Sequence, residues 1–89
     1  MSEIEKPTIE FPCQYPIKVI GYAAPDFREF VVSAVRVHAP DLDLEAVEVI
    51  DSRNGRFQSI RFVIQATGEA QLKAIFQDLK QSSRVQMVL

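Results

Sequence analysis

The sequence predicts a two-layer α+β sandwich: a four-stranded antiparallel sheet with two helices on one face. Three observations predict it. Residues 47–66 read as two strands joined at Asn54-Gly55. Two other segments, 25–38 and 67–80, repeat apolar residues at helical rather than strand spacing. Each helical segment lies between strand-like segments, so the element order is βαββαβ.

The hairpin sets the register. Asn-Gly is the preferred pair for a two-residue type I′ turn, because both residues tolerate positive φ. With the turn there, Arg53 faces Arg56, Val49 faces Ile60 and Val47 faces Phe62, while Glu48 faces Arg61 and Ala46 faces Val63. Apolar pairs thus collect on one face and an ion pair forms on the other. Such pairs stabilise by about 0.2–1 kcal/mol each, and a one-residue slip would turn Val47 and Val49 to the wrong side. A four-residue loop centred on the same turn keeps this register.

Residues 1–13 are polar and then punctuated by Pro7 and Pro12, which predicts a flexible arm with Phe11 tucked against the body. The single domain spans 14–89. The first strand covers Tyr15 to Ala23, with Ile17, Val19, Gly21 and Ala23 on one face and Lys18, Ile20 and Tyr22 on the other. Pro25 suits the first turn of a helix. Phe27, Phe30, Val31, Ala34 and Val35 continue it through His38, and Pro40 stops it. After a turn at Asp41 to Leu44, the second strand spans Glu45 to Ser52 and the third Arg56 to Ala66. Thr67 is positioned to cap the second helix, whose core stripe is Leu72, Ile75, Phe76 and Leu79. Arg84 to Leu89 forms the last strand, with Val85, Met87 and Leu89 on one face. Right-handed crossovers place the third strand between the first two, giving the ferredoxin-like order 4-1-3-2. The face away from the helices is left for solvent or a partner.

The composition excludes several classes. Charged residues make up 25% and hydrophobic ones 47% of the 89 residues, an ordinary globular mixture with room for one core. The net charge of −2 argues against a general nucleic-acid or anionic-membrane binder. No apolar run approaches the roughly 20 residues of a membrane helix, and the polar, acidic start is not a signal peptide. One cysteine, Cys13, makes no intrachain disulfide. A cytoplasmic, reducing setting is expected.

No catalytic or metal site is expected, and no cofactor. Metal-binding domains of this topology carry Cys-x-x-Cys between the first strand and helix; here that loop is Gly21, Tyr22, Ala23, Ala24, Pro25 and Asp26. Acylphosphatase-like domains need an arginine in the loop, and Arg28 falls inside the helix. His38 stands at a helix end, where a protonated ring favours the dipole, and has no second ligand. Cys13 has no basic neighbour in sequence to activate it. RNA-binding domains of this topology stack bases on open-face aromatics; here Phe57 and Tyr22 lie near the hairpin end, but the central positions are Lys18, Ser59 and Arg61.

Glu10-Phe11-Pro12, the Tyr15 to Gly21 strand, His38-Ala39-Pro40, the hairpin with Gly55 and Ser59, and terminal Val85 to Leu89 together resemble the YbeD-like family of small bacterial proteins. The resemblance covers Glu10 to the C-terminus. It implies a fold similar to ACT regulatory domains, which bind amino acids or other small effectors. The family's members have no established activity, and some are encoded beside lipoate-attachment enzymes. Phe57 stands where the family often has Tyr. Asp26 stands where ACT domains commonly open the first helix with Gly, and its charge would repel a carboxylate ligand there.

The function expected is a non-enzymatic regulatory or protein-interaction module. It would act through a sheet edge and the open face, with Val47, Glu48, Val49, Ile50, Phe57, Arg61 and Val63 as its surface; the open face itself carries Lys18, Ile20, Tyr22, Glu48, Ile50, Phe57, Arg61, Val63 and Val88. The alternative is an ACT-like sensor binding a small effector at Gly21 to Asp26; RNA binding stands behind both. The second strand, without Lys or Pro, is an unguarded edge. It is expected to pair with its own copy across a two-fold axis, or with a partner strand. Glu48 opposes an axis passing through itself.

Overall fold

The structure is a computed structural model and describes residues 11–89. Its strands are β1 (Cys13–Tyr22), β2 (Glu48–Asp51), β3 (Phe57–Ala66) and β4 (Val85–Val88); its helices are α1 (Phe27–Arg36) and α2 (Glu69–Lys80). A 3-10 turn, Leu44–Ala46, precedes β2. The sheet order is β2-β3-β1-β4 and every pairing is antiparallel. This is the ferredoxin-like layout expected from the sequence.

Alternation on the two central strands builds the core. Ile17 faces Phe62, Val19 faces Ile60 and Tyr15 faces Ile64. Ile17, Val19, Ile60, Phe62 and Ile64 are buried on the helix side, against Phe27, Val31, Val32 and Val35 of α1 and Leu72, Ile75 and Leu79 of α2. Ala39 and Leu42, in the segment after α1, are buried too, so that segment closes one end of the core. Phe11 packs against the cluster, as expected, and Cys13, the last residue of the predicted arm, opens β1; residues 1–10 lie outside the described residues.

The hairpin has the predicted register, with Glu48 opposite Arg61 and Val49 opposite Ile60. The turn differs. Gly55 has φ +74, but no non-glycine residue among those described has positive φ, so Asn54-Gly55 is not a type I′ pair. Instead Gly55 N–H donates to Ser52 O, and Ser52 N–H donates to Phe57 O. These bonds close a four-residue loop, Arg53 to Arg56. Asn54 Oδ1 accepts from the Arg56 N–H and the Ser52 hydroxyl, which favours right-handed backbone at Asn54 and leaves positive φ to the glycine.

Several boundaries shift for local reasons. β1 begins at Cys13 and ends at Tyr22. Pro25 precedes the helix N-cap, Asp26, and sits in a turn closed by Phe27 N–H donating to Ala24 O. α1 ends at Arg36, so His38 lies just beyond it. β2 is shorter than expected because residues 44–46 coil into the 3-10 turn, whose N-cap Asp43 accepts from Glu45 N–H. Thr67 does not cap α2. Gly68 is the N-cap, and Thr67 donates its N–H and hydroxyl to the Gln71 side chain, which reaches back from the first turn.

β4 shows the largest departure. Val88 pairs with Val19 and Met87 with Ile20, but Val85 pairs with Gly21. Gln86 is the extra residue of a β-bulge. Val85 and Val88 therefore both face the core, and Met87 and Leu89 face outward. The expectation of Val85, Met87 and Leu89 on one face, with Val88 on the open face, fails because a bulge breaks the two-residue period.

Candidate functional site

The open sheet face is a grid set by register. One row runs Ile50, Ser59, Ile20, Met87; the next runs Glu48, Arg61, Lys18, Leu89. Above them Phe57 lies beside Tyr22, their rings stacked with centroids 5.5 Å apart. Below them Val63 lies beside Pro16. Among the described residues no helix covers this face, and its apolar side chains are wet: Ile50 is 44% exposed, Val63 46%, Tyr22 48%, Met87 50% and Leu89 61%. A face carrying this many exposed apolar side chains is a candidate interaction surface.

The charged row crosses the apolar face. Glu48 lies 3.7 Å from Arg61, both largely exposed. Lys18 stands directly opposite Arg61 on the neighbouring strand. Like charges placed so are unfavourable, and Glu48 offsets only one side of the pair. A shallow depression lies over this row, lined by Pro16, Lys18, Glu48, Arg61, Val63 and Leu89 among others. Its chemistry suits an anionic group flanked by apolar ones.

Of the residues singled out in sequence, Glu48, Ile50, Phe57, Arg61 and Val63 share this face. Val49 projects from the helix side of β2, where it is half-exposed, and Val47 packs against the core. Met87 and Leu89 were missed, since only the bulge turns them outward.

The loop Gly21 to Asp26 lies at the other end, against the hairpin loop. Three of its backbone donors, those of Tyr22, Ala23 and Ala24, are engaged within the protein. Ala23 N–H donates to Arg56 O at 2.9 Å, Ala24 N–H to Gln58 Oε1 at 3.3 Å and Phe27 N–H to Ala24 O at 3.2 Å. Gln58 is oriented by donating to Asp51 Oδ1. Asp26 accepts a forked pair from Arg84, at 2.7 and 3.3 Å. Hydrogen bonding and the charge of that guanidinium hold the Asp26 carboxyl below the usual carboxylate range, against a smaller opposing effect of desolvation. Arg84 also lies over the Phe30 ring at 4.9 Å and the Phe27 ring at 5.8 Å. In the sequence Arg84 reads only as the start of the last strand. Its link to Asp26 follows from topology: β4 runs antiparallel beside β1, so the residue before β4 stands next to the loop after β1.

His38 joins the two helices. Its Nε2 lies 2.5 Å from Asp78 Oδ2, and its carbonyl accepts from Gln71 Nε2 at 2.8 Å. A side-chain partner on α2 thus replaces the expected role at a helix end. Cys13 is half-buried at the start of β1. Among the described residues no three His, Cys, Asp or Glu side chains cluster as metal ligands, and no helix is long and apolar enough to cross a membrane.

A family model described as "Protein of unknown function (DUF493)" matches residues 6–89. The chain belongs to the DUF493 family. It is 54% identical over 88 residues to a UPF0250 protein of Hahella chejuensis, covering 99% of this chain and 97% of that one. It is 52% identical to another from Azotobacter vinelandii, with the same coverage. The YbeD-like resemblance read from Glu10 onward falls within this match. Among solved structures, protein HP0495 of H. pylori superposes with a TM-score of 0.76 at 21% identity, covering 100% of this chain and 98% of that one. The ACT domain from the GTP pyrophosphokinase of Chlorobium tepidum superposes at 0.64 and 12% identity, over 86% of this chain and 83% of that one. At those identities the likeness of this DUF493 protein to both is one of fold.

Proposed function

We propose that this DUF493 protein is a non-enzymatic regulatory or protein-interaction module that works through its open sheet face and the β2 edge. The observation that carries this reading is the apolar grid of exposed Tyr22, Ile50, Val63, Met87 and Leu89 with half-buried Ile20, around Arg61 and Lys18. Burying such side chains removes apolar area from water at about 25 cal/mol per Å². A partner presenting a carboxylate between apolar side chains would also offset the opposed cations.

The test compares affinity capture from the native cell by wild type, by Ile20→Glu/Val63→Glu and by Asp26→Ala. The reading predicts a defined partner retained by wild type and Asp26→Ala and lost with the open-face double variant. A partner lost only with Asp26→Ala would overturn it.

The second reading, an ACT-like sensor of an amino acid or metabolite at Gly21 to Asp26, is favoured by the ACT-domain neighbour in fold. Against it stand the engaged N–H groups of the loop and the Asp26–Arg84 pair. A thermal-shift screen with amino acids and lipoate-related compounds separates the two, because a ligand that binds only the folded state raises the midpoint.

A further inference from the structure

We propose that β2 pairs antiparallel with β2 of a second copy of this chain, about a two-fold axis at Ile50. The inference rests on the reading of this edge as an interaction surface and names its occupant.

The backbone fixes which groups are free. Ser52 N–H donates to Phe57 O, so Ser52 and Phe57 are a hydrogen-bonded pair of the antiparallel ladder. Such pairs alternate along the strands. Ile50 and Glu48 therefore direct their N–H and C=O groups at β3, and Val49 and Asp51 direct theirs outward from the sheet. Val47 cannot extend this set, because its N–H donates to Leu44 O.

This limits the position of the axis. An axis at Glu48 would bring two carboxylates together and would need the Val47 N–H, so it is doubly disfavoured. An axis at Val49 would leave Asp51 facing Val47, whose donor is engaged. An axis at Ile50 sets Val49 of each copy opposite Asp51 of the other, and every outward N–H and C=O of both residues finds a partner. Two half-exposed Ile50 side chains then meet on the open face, in a close non-hydrogen-bonded pair.

Charge gives a second, independent argument. Asp43, Glu45 and Glu48 lie at one end of the β2 segment; the other end carries Arg53 and Arg56 beside a single acid, Asp51, whose carboxylate accepts from Gln58 Nε2. A two-fold axis reverses one copy against the other, so each acidic end meets a basic end. A self-complementary edge is what an isologous interface requires. The strand is exposed at every position, and neither Lys nor Pro guards it. The product would be one continuous sheet with the apolar open faces joined through Ile50.

Light scattering on the full chain at high micromolar concentration should give the dimer mass for wild type and the monomer mass for Val49→Pro, which removes an outward N–H. Arg53→Glu/Arg56→Glu should shift wild type toward monomer and leave its circular dichroism unchanged, which covers the case of a proline variant that fails to fold. In a Cys13→Ser background, Ile50→Cys should form an interchain disulfide on mild oxidation, and Glu48→Cys should not. A monomeric wild type, a dimer indifferent to the arginine substitutions, or cross-linking at 48 rather than 50 overturns the proposal. If the edge fails in this way while the open-face double variant still loses its partner, the module reading stands without it.

Discussion

The ring of Phe27 occupies the space where a side chain on Gly21 would begin. A Cβ built there would lie 2.4 Å from Phe27 Cζ and 2.4 Å from Arg84 O. The first contact is the core anchor of α1; the second is backbone of the segment entering β4. Gly21 is thus required for close approach of a helix and a strand. Gly21→Ala should destabilise the fold by about 1–3 kcal/mol, as overpacking in a filled site does. Chemical denaturation checks this; an unchanged midpoint would mean the site relaxes freely.

Gly55 presents the opposite case. Nothing lies within 4 Å of its added Cβ, but its φ is +74. Only backbone strain opposes a side chain there. Gly55→Val should cost about 1–2 kcal/mol, and Gly55→Asn clearly less, since Asn visits this region more readily. Equal losses in the two variants would place the cause elsewhere.

Glu48 and Arg61 are cross-strand neighbours on the open face. A double-mutant cycle to alanine should return a coupling of a few tenths to about 1 kcal/mol, falling as salt is added. A coupling indistinguishable from zero at low salt would show that the ion pair does not persist in solution.

The Asp26–Arg84 fork predicts an acid limb. The folded carboxyl is depressed below its unfolded value, so its contribution is present above the ordinary aspartate pKa of about 3.9 and is lost as pH falls through the lower folded value. Asp26→Asn should therefore be less stable than wild type at neutral pH, with the gap closing below about pH 4. Parallel stability curves for the two proteins down to strongly acid pH would contradict this assignment.

Most of the architecture was legible in the chain. The alternation of Ile17 and Val19, and of Ile60, Phe62 and Ile64, marks the buried face of two strands. The spacing of Leu72, Ile75 and Leu79 marks the buried stripe of a helix. The Glu48–Arg61 register follows from the hairpin, although the turn is wider than Asn54-Gly55 suggests. The ligand-loop reading of Gly21 to Asp26 rested on family resemblance, and nothing local in those residues announced Arg84.

The sequence by itself determined the order of elements, the hairpin register and the helix-facing core, because periodicity and turn chemistry act between residues close along the chain. Only the tertiary structure decided which way Met87, Val88 and Leu89 point, why position 21 is glycine and what holds Asp26 and His38. Each depends on a neighbour distant in sequence. One bulged residue, Gln86, reverses the faces of a strand end without any local signal in its composition. Arg84 reaches Gly21 and Asp26 only once β4 has closed beside β1.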